Sequence, residues 1–186
     1  ERSASSATLE YDGVPINHQW SKGWEFERSF ADLVRARVAA DLHYYSLLRP
    51  LSELAVASRF ARSNRYDDVF SSCNRNFRIL GPKPSDRWCG QCPKCHFVFL
   101  ALAPFLPKPR LLGIFGRNLL DDPAQVGGFD ALIEYRDHKP FECVGEGRES
   151  RAAMAELASR AEWREDAIIE RFGVQDRVDI VTTTFG

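Results

Sequence analysis

The sequence predicts an α/β protein, predominantly helical, in which four cysteines clamp one subdomain around a metal ion. Three observations carry this. A β-like segment at residues 41–48 lies between two helical stretches, the order expected of an α/β sheet. Four of the five cysteines fall within 23 residues, as Cys73 and then Cys89-Gly-Gln-Cys-Pro-Lys-Cys95. Most of the remaining length reads as helix punctuated by proline- and glycine-marked loops.

Residues 1–20 read as loop, Ser-rich at first and then turning at Tyr11-Asp12-Gly13. Ser21 is placed to cap a helix from about Gly23 to Ala39, with Phe26, Phe30, Leu33, Val34 and Val38 on one face. The β-like segment Asp41 to Leu48 is rich in Tyr and Leu and ends at Arg49-Pro50. Ser52 then caps a short helix to about Arg62. Ligands of α/β sheets bind beyond the carboxyl ends of strands, which makes Arg49, Ser52 and Glu53 candidate substrate contacts. Residues 63–85 are irregular.

Pro93, with its fixed φ and no amide proton, suits a first helical position, so Cys92 becomes the N-cap of the apolar run His96 to Ala103. Pro104, Pro107 and Pro109 break the chain, and Arg110 to Phe115 is apolar but ambiguous. Asp122-Pro123 opens a helix to about Tyr135. The loop from Asp137 to Gly147 is dense in ionisable groups, among them His138, Lys139, Glu142, Cys143 and Glu146. Arg148 starts a helical stretch to about Phe172 that breaks near Arg160, and Val178 to Thr183 reads as a strand or a tail.

Tetrahedral zinc takes four N/S ligands, delivered in pairs by tight turns. Cys73, Cys89, Cys92 and Cys95 meet that need, and Gly90 permits the reversal that aims Cys89 and Cys92 at one ion. Arg87 and Lys94 are placed to offset the negative charge of four thiolates. A disulfide or a redox CxxC suits three closely spaced cysteines poorly, and an iron–sulfur cluster is the weaker alternative. Structural zinc is the preferred reading. His96 reads as a polar helix residue rather than a fifth ligand.

The totals bound the rest. The 186 residues suffice for one domain or a domain with an appendage. A net charge of −1 supplies no basic field for nucleic acid. No apolar run approaches the ~18 residues of a membrane span, and no signal peptide is visible. Cysteines grouped as a metal site, with Cys143 left over, fit a reducing cytoplasm. The chain opens on Glu1 and its single methionine is Met154, so it is expected to be a piece of a longer protein.

Six blocks now come together: Glu1-Arg-Ser-Ala-Ser5, Asn17-His-Gln-Trp-Ser-Lys22, Ser46-Leu-Leu-Arg-Pro-Leu-Ser-Glu53, Ser72-Cys-Asn74, Trp88-Cys-Gly-Gln-Cys-Pro-Lys-Cys95 and Lys139-Pro-Phe-Glu-Cys-Val-Gly-Glu146. In that order they resemble the UDP-N-acetylmuramoyl-L-alanyl-L-glutamate epimerase (MurL) family over roughly residues 1–155. The resemblance implies a bacterial, cytoplasmic enzyme of peptidoglycan-precursor synthesis. Using ATP and Mg²⁺ and releasing AMP and diphosphate, it would invert the terminal L-Glu of UDP-MurNAc-L-Ala-L-Glu. The cysteine pattern is also similar to that of 7-cyano-7-deazaguanine synthase, an ATP-pyrophosphatase, although fifteen residues separate Cys73 from Cys89, a longer gap than that enzyme's.

The fold so implied is the C-terminal part of an ATP-pyrophosphatase-like (adenine nucleotide alpha-hydrolase-like) domain. Residues 1–62 would end its nucleotide-binding α/β part, and 63–186 would form the zinc-binding, mainly helical region. The Ser-Gly-Gly-x-Asp-Ser phosphate loop of such enzymes is absent, since Val126-Gly-Gly-Phe129 lacks the serines. That loop is expected upstream of Glu1, which makes the N-terminal remainder of the protein a required partner. The resemblance points to Arg2, Ser3, Asn17, His18, Arg49, Glu53 and Lys139 as substrate or nucleotide contacts. Cys143, Glu142, Glu146 and His138 are the candidates for proton transfer, with a buried, inert thiol the alternative for Cys143. Two rival readings are a zinc-stabilised binding module and an ATP-pyrophosphatase acting on a nucleobase or tRNA.

Overall fold

The computed structural model describes residues 2–7, 9–135 and 139–173, apart from the Arg2 side chain. Its centre is a helix that is apolar all round, α3, Pro93–Leu102, in which Cys95, His96, Phe97, Phe99, Leu100, Ala101 and Leu102 are buried. A helix without a polar face has to be surrounded. Helices α2 (Glu53–Phe60), α4 (Lys108–Phe115), α5 (Val126–Leu132) and α6 (Gly147–Ala158) pack against it. Phe99, Leu111, Leu119, Leu120, Phe129, Leu132, Met154, Leu157 and Trp163 fill the core between them.

Local chemistry sets most of the boundaries. Cys92 is the N-cap of α3 with Pro93 in its first turn, as the sequence predicts. The Ser52 side chain accepts the Ala55 N–H and caps α2. The ambiguous segment before Gly116 is helical and ends there because Gly116 takes φ 75°, a left-handed C-terminal stop. Asp122 caps a 3-10 turn, Pro123–Gln125, that runs into α5. The long C-terminal stretch breaks after Ala158 and is helical again over residues 167–173. Within that break Asp166 pairs with Lys108 at 2.6 Å, and the same ammonium lies 4.7 Å from the Trp163 ring centre.

Before α2 the chain is less compact. A two-stranded antiparallel hairpin, β1 (Leu9–Tyr11) and β2 (Val14–Ile16), turns at Asp12-Gly13, and helix α1 (Trp24–Arg37) follows. The sequence read the hairpin residues as loop. The cap of α1 is Gly23 rather than Ser21. Of the predicted apolar face only Val34 is buried, and Leu33 and Val38 are exposed.

The largest departure is the β-like segment. Residues 41–48 are loop and turn, and among the described residues the hairpin is the only sheet. The apolar positions at 42, 44, 45, 47 and 48 do not alternate, so no strand register puts them on one face. The segment is held instead by the Ser46 N–H on Glu27 Oε2 and by an edge-to-face contact of Tyr44 with Phe30. The described part is thus mainly helical with one small hairpin and a four-cysteine cluster. The Val178–Thr183 segment and His138 lie outside the described residues.

Candidate functional site

The four predicted ligands converge. The sulfurs of Cys73, Cys89, Cys92 and Cys95 all lie within 4.8 Å of one another. Cys73 and Cys92 are 4.0 Å apart, Cys89 and Cys95 3.8 Å, and Cys92 and Cys95 3.4 Å. A tetrahedral ion bonded to sulfur at about 2.3 Å puts its ligands about 3.8 Å apart, so the cluster is sized for one such ion. No disulfide joins any of the four. Amide groups also point at the sulfurs: Cys89 N–H at Cys73 and Gln91 N–H at Cys89, both at 3.5 Å.

The sulfurs share protons unequally. The contact with Cys95 first, aided by the Cys95 and Asn74 backbone amides, holds Cys92 well below the usual thiol range although burial opposes it. Cys95 is pushed up by the same contact and by burial. The cluster therefore already favours a thiolate at the start of α3, the form in which sulfur binds a metal.

Gly90 makes the turn between Cys89 and Cys92 at φ 64°. The Arg117 guanidinium lies over it, with Nη2 donating to the carbonyls of Gly90 at 2.8 Å and Cys89 at 3.3 Å. The expected charge partners differ. Arg87 binds the Asp67 carbonyl, and Lys94 reaches the Cys143 carbonyl. Arg117 carried no sequence signal, because only folding brings α4 back over the cysteine turn. His96 is buried and bonds Gln125 at 2.8 Å, a core residue and not a ligand.

Beside the cluster lies a second group. His18 Nε2 is 3.7 Å from Cys143 Sγ, and its ring packs on Phe141 with centres 4.5 Å apart. Partial burial first, then Lys139 and Lys22, holds His18 below the ordinary imidazole range. This favours the neutral imidazole, the form able to take a proton. Glu142 is raised, by burial first and then by negative charge at Cys92, while Asn74 donates to its carboxylate.

The other predicted residues gather on the same side or are used elsewhere. Ser3 donates to Glu53, and Ser6 to Glu146 at 3.0 Å. Asn17 ties to the Ala4 carbonyl at 2.9 Å, which seats the segment carrying His18. Gly145, at φ 67°, lies where a Cβ would fall 2.6 Å from the Phe97 ring and 3.2 Å from Glu53 Cγ. Glu53 opens α2 rather than following a strand, and Glu149 receives its amide at 3.3 Å and that of Leu54 at 3.1 Å. Arg49 is not at a strand end either: it pairs with buried Glu27 at 2.8 Å and donates to the Lys22 carbonyl.

Known proteins give a consistent answer. The family model described as MurL C-terminal domain matches residues 69–182, and that described as MurL N-terminal domain matches residues 1–47. The UDP-N-acetyl-alpha-D-muramoyl-L-alanyl-L-glutamate epimerase of Xanthomonas oryzae pv. oryzae is 68% identical over 181 residues, 96% of this chain and 40% of that protein. Proteins of the same name from Salinispora tropica and a Micromonospora species are 50% and 48% identical over 169 residues, 91% of this chain and 36% and 37% of theirs. The chain thus spans about two fifths of the length of these relatives. No solved structure matches it. With the C-terminal pattern alone covering more than half of its residues, the chain belongs to the MurL family.

Proposed function

We propose that this chain forms part of a cytoplasmic, ATP-dependent epimerase that inverts the terminal L-glutamate of UDP-MurNAc-L-Ala-L-Glu during peptidoglycan-precursor synthesis. The substrate is taken from what the relatives are named for. The observation that carries the chemistry is the Cys143–His18 pair, 3.7 Å between sulfur and nitrogen.

An ionised carboxylate beside the α-carbon of glutamate repels carbanion charge, so its α-proton resists ordinary bases. ATP with Mg²⁺ supplies the remedy, adenylation of that carboxylate to a mixed anhydride. Neutral His18 then takes the Cys143 proton, and the thiolate removes the α-proton. A carboxyl of the same loop, Glu142 or Glu146, returns a proton on the opposite face. Hydrolysis leaves D-Glu, with AMP and diphosphate as co-products. His138, also in this loop by sequence, is a further proton carrier to test.

Arg2, Ser3, Asn17 and Lys139 serve on this reading as contacts to the anionic substrate or nucleotide. Glu53 and Arg49 support the walls around them. Zinc is the ion assigned to the four cysteines, and sulfur fills every tetrahedral position, which leaves none for a reacting water. Its task is structural. The phosphate-binding part, of ATP-pyrophosphatase type, belongs to the remainder of the protein.

The test uses the full-length protein with ATP and UDP-MurNAc-L-Ala-L-Glu, following D-Glu by chiral analysis and AMP alongside it. Inversion accompanied by AMP and diphosphate is expected. Inversion without AMP contradicts the adenylation step, and AMP release without inversion contradicts the epimerase.

A further inference from the structure

Two residues beside the four cysteines, Lys94 and Asn74, both end on the loop carrying Cys143. Lys94 lies between Cys92 and Cys95, in the first turn of α3, and its ammonium donates to the Cys143 carbonyl. Asn74 follows Cys73 directly, and its side-chain amide donates to the Glu142 carboxylate. The cysteine centre therefore grips two successive residues of one loop, from two different segments of its own ligand framework.

Residues 140–145 of that loop are fixed with little slack. Glu142 N–H closes on the Pro140 carbonyl at 2.7 Å and Val144 N–H on the Glu142 carbonyl at 2.9 Å, so two tight turns follow in succession. Val144 is 1% exposed in the core, and Gly145 lies against Phe97 of α3. The Cys143 carbonyl is accordingly held from the metal side, while its sulfur meets His18 from the N-terminal side. A pinned carbonyl fixes where the Cα–Cβ bond points and leaves χ1 as the sulfur's remaining freedom, from which the His18 contact selects one rotamer.

We propose that Lys94 and Asn74 are positioning residues, through which the metal centre sets Cys143 and Glu142 in register with His18. This rests on the epimerase reading for its kinetic arm. The metal then acts at a distance: it fixes the start of α3 and the Cys73–Asn74 turn, and these fix the loop. A displacement of about 1 Å at a reacting group costs on the order of 10²-fold in rate, the scale expected when the grip is lost.

The experiment compares full-length wild type with Lys94→Met, Lys94→Arg and Asn74→Ala. Metal content is measured by elemental analysis, the steady-state constants by D-Glu formation, and loop order by amide deuterium uptake in peptides spanning residues 139–147 and α3. Lys94→Met is expected to keep its metal and its KM, lose about 10²-fold in kcat, and take up deuterium faster in 139–147 with α3 unchanged. Lys94→Arg, which keeps a cationic donor, recovers most of that kcat, and Asn74→Ala shows a smaller loss of the same kind. Wild-type kcat and loop uptake in Lys94→Met overturn the proposal. So does metal loss with faster uptake across α3, which makes Lys94 a residue of general stability. Should the wild type itself form no D-Glu, the epimerase reading fails while the uptake arm still decides the positioning.

Discussion

Cys143 Sγ faces His18 Nε2 at 3.7 Å, a contact between residues 125 positions apart in the chain. It joins the N-terminal segment to the loop that follows α5 and sets a thiol beside an imidazole whose pKa is lowered. Phe141 covers one side of that imidazole, and Lys94 holds the peptide behind the sulfur.

Replacing the imidazole isolates its part. His18→Gln in the full-length enzyme keeps a polar side chain of similar reach but no base. Its kcat for inversion is expected to fall by about 10²- to 10⁴-fold with KM little changed, the usual yield of a positioned proton acceptor. An unchanged kcat removes His18 from the chemistry.

The same group sets a pH dependence. Burial, Lys139 and Lys22 all lower the His18 pKa, so the neutral, proton-accepting form persists to a lower pH than in free imidazole. Activity is then lost as pH falls through a midpoint below about 6.5, the ordinary imidazole value. Removing one of the cations, in Lys139→Gln, moves that midpoint upward. A kcat/KM profile whose acid limb stays in place in this variant contradicts the assignment.

Gly90 tests the metal turn. Any side chain there meets a left-handed φ of 64°, and its Cβ falls 2.5 Å from Arg117 Nη2. Gly90→Ala is expected to cost about 1–2 kcal/mol from the backbone alone. Thermal melting of metal-replete protein reads this as a lower Tm, and an unchanged Tm refutes the strain.

Breaking the four-cysteine site is expected to have a larger effect. A structural zinc contributes on the order of 10 kcal/mol, so Cys92→Ser is expected to unfold the region built on α3. Circular dichroism with elemental analysis measures both quantities in one sample. A folded, metal-free variant would falsify the structural role of the ion.

Much of the cluster was legible in the sequence because its signals are local. Cysteine spacing, Pro93 and the apolar run after it define the metal turn and α3 together, and Ser52 marks α2. The 41–48 segment misled because Tyr and Leu content suggests a strand even where no alternation supports one. Glu27, in the first turn of α1, is buried by pairing with Arg49 and the Ser46 amide, a pairing no local signal announces. Arg49 was read as a ligand contact because it follows the supposed 41–48 strand. The His18–Cys143 contact and the Lys94 grip left no periodic or spacing signal, since both depend on where loops land after α3 is surrounded. Cys143 was named as a proton-transfer candidate, His18 as a substrate or nucleotide contact and Lys94 as a charge partner of the cysteines, and their pairing needed the fold.

The central claim is that Cys143 moves the α-proton. Its most direct test is solvent deuterium incorporation at the glutamate α-carbon by the full-length enzyme, with AMP formation measured in the same reaction. Wild type should incorporate deuterium, and Cys143→Ser should not, while AMP continues to form. Deuterium entering at the wild-type rate in Cys143→Ser would contradict the account.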